Sequence, residues 1–212
     1  MQQDVQGKVD SRAMREVNRS IVLDIIRRGG KVSRTDLAKR SALTKPTVSA
    51  IVDDLIARGI LQEVGFGKTV ATGGRRARLL EVNDASAAYL GLRFSVHTTT
   101  VAVADARGEV RATRETASIP GDPHASVRSA LELLDGALEE AGLPRSRLAS
   151  VGVTVPGMVD TRSGTVAFAP NLGWSDVPIR SLLQQALELP VVVHNVTNAG
   201  ALAEGRIGAA KG

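Results

Sequence analysis

The residues of this sequence best placed to do chemistry are polar side chains suited to binding. Lys45, Thr47 and Ser49 alternate at the start of the segment TKPTVSAIVDDLIAR, whose apolar residues Val48, Ile51, Val52, Leu55 and Ile56 recur at three- and four-residue steps. Such a stripe buries one side of a helix and leaves Lys45, Thr47, Ser49 and Ala50 on the other. Short polar side chains at the exposed N-terminal end of a helix are what a DNA major groove admits. Taken alone, the same pattern suits an αα-hairpin packed in a core. Further along, Lys68, Arg75 and Arg76 stand in a glycine-rich loop, GFGKTVATGGRR, able to follow phosphates or to enter a narrow minor groove. A phosphate-loop reading of that loop fails, because G-x-x-x-x-G-K-[ST] is absent and no helix follows.

Other chemistries are excluded by composition. The chain has no cysteine, so disulfides, thiol nucleophiles and thiolate metal sites are ruled out, and His97, His124 and His194 lack the spacing of metal ligands. No catalytic residue and no metal site is expected. No apolar run approaches the roughly 20 residues of a membrane helix, and MQQDVQGKVD is too polar for a signal peptide. The expected location is the cytoplasm, with no membrane partner. The net charge of +5 is unevenly held: residues 1–83 carry 16 Lys and Arg against 9 Asp and Glu, or +7, and the remainder 11 against 13, or −2. A basic segment joined to a slightly acidic one points to a polyanion-binding module attached to a part with another task.

The elements that must position these residues follow from periodicity. Residues 1–11 read as frayed, and Arg12 to Arg28 as a helix with Val17, Ile21, Ile25 and Ile26 on one face, stopped at Gly29-Gly30. Ser33 caps a second helix that turns Leu37 and Ala38 inward. Thr44 caps the third, with Pro46 in its first turn and Gly59 just past its end. Strands at Ile60–Val64 and Ala77–Val82 then flank the basic loop as a wing. Residues 12–83 thus form a winged helix-turn-helix domain, and NDASAA is a linker.

Residues 88–212 read as a second domain with the order β-β-β-α-β-α-β-α. The expected strands are Tyr89–Val96, Thr98–Asp105, Glu109–Thr116, Leu148–Val155 and Val191–Val193. The helices are Pro123 to Ala141, Val177–Leu187 and Thr197 to Ala209. The fold class is α/β, with the second domain forming one RNase H-like lobe.

With TKPTVSAIVDDLIARGIL, TGGRRARLLEVN, VGVTVPGMVDTRSGTVAFAPNLGW and VVVHNVTNAGALAEGRIGAAKG on the page, the chain from Val17 to Gly212 resembles the ROK family of repressors, open reading frames and kinases. The resemblance implies a bacterial transcription regulator, usually a repressor of carbohydrate-utilisation genes. Its second domain would be the first lobe of an actin-like ATPase fold whose two lobes close over a sugar. The implied partners are double-stranded operator DNA, a sugar or sugar phosphate effector, and a second copy in a homodimer or higher assembly. No cofactor is expected, because the family's zinc site lies in a second lobe outside this chain. By the family's usual length, the expectation is a fragment or a truncated reading frame, the alternative being a shortened regulator whose effector response is lost or altered.

The resemblance also implies particular site residues. Asn171 and Asn195 match positions that hydrogen-bond sugar hydroxyls in the family, and an amide offers both a donor and an acceptor. Pro156-Gly157 borders that pocket. Trp174 is expected to pack, His194 to be satisfied at a strand end, and Asp160 to belong to a hairpin closing at Gly164. A sugar kinase is the alternative reading. It is opposed by Arg93, Ser95 and His97 where the kinases carry D-x-G-x-T, and by Val196 where they carry the aspartate that takes the sugar proton. A protein-interaction role for the winged domain is a further alternative.

Overall fold

The computed structural model describes residues 3–67 and 76–207. Contacts divide the chain into a unit of residues 1–86 and a unit of residues 87–212.

The first unit opens with α1 (Gln3–Gly29), followed by β1 (Val32–Ser33), α2 (Arg34–Ser41), α3 (Lys45–Ala57), β2 (Leu61–Phe66) and β3 (Arg78–Val82). Helix α1 begins at Gln3, whereas the sequence predicts fraying through residue 11. That stretch contains no proline, and its one glycine costs a helix only about 1 kcal/mol relative to alanine. The buried face of α1 includes Ile26 as expected and otherwise differs. Val22 and Ile26 are fully enclosed, whereas Val17 and Ile21 stand 53% and 38% exposed. Adjacent residues sit about 100° apart around a helix, so choosing Ile21 instead of Val22 rotates the whole face.

Caps set the other two helices as expected. The Ser33 hydroxyl accepts from the Asp36 amide at 3.1 Å, and the Thr44 hydroxyl from the Thr47 amide at 3.3 Å. Arg58 ends α3, and Gly59 at φ +70° then turns the chain through the left-handed region that glycine adopts without cost. Leu37, Val48, Val52, Leu55, Leu61 and Leu80 close the core. The wing sheet has three strands in the order β1-β3-β2. Two residues, Val32 and Ser33, pair with Leu80 and Leu79 in a strand too short for any periodicity to reveal.

The second unit contains β4 (Ala88–Phe94), β5 (Thr98–Asp105), β6 (Val110–Ala117), α4 (Pro123–Glu132), α5 (Leu134–Ala141) and β7 (Leu148–Val155). It continues with β8 (Met158–Asp160), β9 (Thr165–Ala169), β10 (Trp174–Val177), α6 (Ile179–Leu187), β11 (Val191–Asn195) and α7 (Val196–Ile207). Its main sheet runs β11-β7-β4-β5-β6, with β4, β5 and β6 antiparallel and β7 and β11 parallel to β4. A small antiparallel sheet of β8, β9 and β10 stands beside it, and β10 was not foreseen. The helix expected from Pro123 to Ala141 is two helices. The Leu133 amide donates to the Ala130 carbonyl three residues back, and that tightened turn lets α4 bury Val127 and Ala130 while α5 buries Leu134, Ala137 and Leu138. A winged helix-turn-helix followed by a mixed α/β lobe is the architecture the sequence predicts.

Candidate functional site

Helix α3 is built to present its N-terminal half. Thr44 closes its first turn, Pro46 sits where a missing amide hydrogen costs nothing, and Val48, Val52 and Leu55 are buried completely. Lys45, Pro46, Ala50 and Asp53 are exposed. Thr47 and Ser49 are half-buried and flank that face from either side, so neither stands at its centre. The Thr47 hydroxyl lies 2.8 Å from that of Thr44, and Thr47 lines a cleft shared with Arg15, Asn18 and Arg19 of α1. A side chain so placed holds the cap together as well as facing outward. Helical arithmetic alone had grouped Lys45, Thr47, Ser49 and Ala50 as one surface.

Two carboxylates on α3 would repel a polyanion if left alone. Asp54 lies 2.9 Å from Arg19 and 3.6 Å from Arg58, and Asp53 lies 2.7 Å from Arg34. Each is thereby neutralised by an arginine from a neighbouring element or turn. In the wing, Arg78 pairs with Glu63 and stacks its guanidinium over Phe66 at 5.9 Å. Arg76 is exposed at the foot of the wing loop, and Lys68 and Arg75 lie outside the described residues. Sequence reasoning missed Arg34, Arg19 and Arg78. Their signal was weak, because an arginine partner across tertiary structure leaves no local pattern.

In the second unit, the turn after β7, the end of β9 and the β11–α7 junction converge on Gly157. Asn195 donates from Nδ2 to the Gly157 carbonyl at 2.6 Å and accepts at Oδ1 from the Thr197 amide at 2.7 Å, capping α7. One amide hydrogen and one lone pair of Asn195 remain for another partner. Gly157 has φ +99°, and a Cβ there would sit 2.3 Å from the Phe168 carbonyl oxygen and 2.8 Å from the Ala169 Cα. Asn171, two residues beyond Ala169, is exposed and makes no side-chain hydrogen bond among the described residues.

Other expectations resolve individually. Trp174 is 2% exposed and packs against Phe94 with ring centroids 5.3 Å apart. Asp160 belongs to its hairpin: a hydrogen bond from Ser163 Oγ and a second from the Arg162 amide hold its carboxyl below the usual range. His194 is half-buried at the end of β11 and makes no side-chain hydrogen bond among the described residues.

His194 joins a row that crosses the open face of the main sheet in register. Its members are His194, Thr154, Arg93, Thr100 and Glu115. Within the row Arg93 donates to Thr100 Oγ1 at 3.3 Å and lies 3.7 Å from Glu115, while Thr100 donates to Glu115 at 2.8 Å. A guanidinium bound to a carboxylate here cannot supply the anionic oxygen that a nucleotide-bound magnesium ion requires. Among the described residues, no cluster of three His, Asp or Glu side chains is gathered that could hold a metal ion.

Comparison with known proteins covers both units. Residues 89–212 match the ROK family and residues 16–68 the MarR family. The xylose repressor of Caldicellulosiruptor bescii is 36% identical over 193 residues, covering 90% of this chain and 48% of the repressor. A crystal structure of a ROK family transcriptional regulator, a homologue of the E. coli MLC protein, superposes with a TM-score of 0.71 at 26% identity, covering 92% of this chain and 49% of its own. The ROK hexokinase of Thermus thermophilus matches 59% of this chain and 40% of its own at 30% identity, with a TM-score of 0.52. The chain spans about half the length of the curated relatives it matches.

Proposed function

The chain belongs to the ROK family, and from that premise we propose that it is a sugar-responsive transcription repressor of carbohydrate-utilisation genes, acting in the cytoplasm. Residues 12–83 bind double-stranded operator DNA. Lys45, Ser49 and Thr47 at the start of α3 meet base edges, while Lys68, Arg75 and Arg76 of the wing meet phosphates or the minor groove. Residues 88–212 form one wall of the effector site, with Asn171 and Asn195 contributing hydrogen bonds to sugar hydroxyls. Two copies act together, because paired half-sites need two recognition helices about 34 Å apart.

The observation that carries this reading is the exposed N-terminal half of α3, on a helix whose two carboxylates, Asp53 and Asp54 further along, are each paired with an arginine. Support comes from a likeness to a named xylose repressor that extends over both units. The hexokinase likeness favours a kinase reading of the second unit alone. Arg93 in its cross-strand pair and Val196, which cannot accept a proton, speak against it. The test combines two measurements on the purified chain: sequencing of the genomic fragments it retains, and calorimetry against pentoses and hexoses with ATP-dependent phosphoryl transfer assayed alongside. Retained fragments sharing one motif upstream of sugar-utilisation genes support the proposal, and transfer of phosphate to any sugar would defeat it.

A further inference from the structure

Three arginines meet at the foot of the wing. Arg34 opens α2, Arg76 and Arg78 lead into β3, and together with Thr35, Glu63 and Ala77 they line one cleft. Two carboxylates reach them. Arg34 lies 2.7 Å from Asp53 and 3.7 Å from Glu63, and Glu63 also pairs with Arg78. The result is a chain of alternating charge, Asp53–Arg34–Glu63–Arg78, that ends in an exposed guanidinium.

This arrangement holds more donors than its own carboxylates use. Each guanidinium carries five N–H donors in a planar fork, and each member of the chain keeps between 28% and 65% of its side chain in solvent. Pairs so exposed contribute little, so another anion can replace one without a large penalty. The cleft lies at the first turn of α2, the positive end of that helix dipole, where Thr35 is exposed. Through Arg34 it adjoins Asp53 on the exposed face of α3. A singly charged, tetrahedral anion with two free oxygens suits the forks, since guanidinium takes phosphate oxygens two at a time.

We propose that this cleft seats a phosphodiester of the DNA backbone, held by Arg34, Arg78 and the Thr35 hydroxyl, with Glu63 as the counter-ion that the phosphate displaces. The seat rests on the DNA-binding reading of α3 and adds an anchor between the recognition helix and the wing. An anchor there sets how deeply α3 sits in the groove. Glu63 acts as the built-in competitor: it occupies the arginines in the free protein and lowers the affinity for any stray polyanion.

The test is equilibrium binding of the whole chain to a short random-sequence duplex over a series of salt concentrations, with thermal melts confirming that each variant folds. Arg78→Gln is expected to weaken binding severalfold and to flatten the slope of log K against log salt by about 0.9, the loss of one phosphate contact. Glu63→Gln is expected to tighten binding several-fold, an effect that a merely structural role for the ion pairs would not produce. A folded Arg78→Gln chain with an unchanged slope, in a series where the native chain binds and Lys45→Ala weakens it, would overturn the seat and leave the DNA-binding reading standing. A native chain that binds no duplex at low salt would remove both. Inorganic phosphate at matched ionic strength should displace the duplex from the native chain more effectively than chloride, through the same forks, and should lose that advantage with Arg78→Gln. Phosphate and chloride acting alike on the native chain would mean that the cleft does not select phosphate oxygens and would overturn the proposal.

Discussion

Arg19 of α1 lies 2.9 Å from Asp54 of α3, and the same guanidinium holds Glu16 at 2.7 Å, so the first helix cancels a negative charge on the helix proposed to enter DNA. Both partners are partly exposed, which limits the pair's effect on stability. A double-mutant cycle with Arg19→Ala and Asp54→Ala should give a coupling of about 0.2–1 kcal/mol in urea unfolding. The effect on DNA binding should be larger. Arg19→Ala is expected to weaken duplex affinity by leaving the Asp54 carboxylate with only the more distant Arg58, 3.6 Å away, and adding Asp54→Asn should restore most of it. Equal affinity for all three chains would mean that this pair has no bearing on the interface.

Thr44 is the cap on which the presentation of α3 depends, since its hydroxyl meets both the Thr47 amide and the Thr47 hydroxyl. Thr44→Ala should destabilise the first unit by about 1 kcal/mol, read from the urea midpoint at unchanged m-value. Thr44→Asp, which keeps an acceptor, should retain most of the stability. DNA affinity should fall with the alanine variant by more than the change in folded fraction explains.

These local devices were the legible part of the sequence. Ser33, Thr44, Pro46 and Gly59 act within a few residues of themselves, and each does what its position predicts. Features decided by partners far along the chain were not legible. Val22 is buried and Ile21 is not because of where β3 and α2 lie, and strand β1 exists only because Leu79 and Leu80 offer it a ladder. The break at Leu133 has neither proline nor glycine to announce it. In the candidate sites, residue types were readable and their partners were not. Asn195 stands out as an amide, but its bond to Gly157, 38 residues back, needed the fold.

Gly157 is predicted to be intolerant of any side chain. Its φ of +99° disfavours other residues, and a Cβ would collide with backbone atoms of Phe168 and Ala169 that cannot rotate away. Gly157→Ala should lower stability by about 1–3 kcal/mol or more, seen as an earlier unfolding transition. Duplex affinity under conditions where the protein remains folded should be unchanged. A variant as stable as the native chain would show that the turn after β7 relaxes freely.

Asn195 offers a way to separate capping from sugar recognition. Asn195→Asp keeps the acceptor for the Thr197 amide but loses the donor to the Gly157 carbonyl, whereas Asn195→Ala loses both. Stability should therefore fall in the order native, Asp, Ala, with the alanine variant down by about 1 kcal/mol or more through the lost cap. Sugar binding, measured by calorimetry, should weaken in both variants. Sugar affinity equal to native in the alanine variant would confine Asn195 to a capping role.

The central claim is that α3 reads DNA sequence through its exposed N-terminal half. Selection of bound duplexes from a random-sequence pool tests it most directly, run in parallel on the native chain, Ser49→Ala and Arg78→Gln. The native chain should enrich one motif, Ser49→Ala should change the preferred base at one position, and Arg78→Gln should weaken recovery while leaving the motif intact. Recovery of no motif by the native chain, or the same motif at undiminished strength from Ser49→Ala and Lys45→Ala alike, would contradict the account.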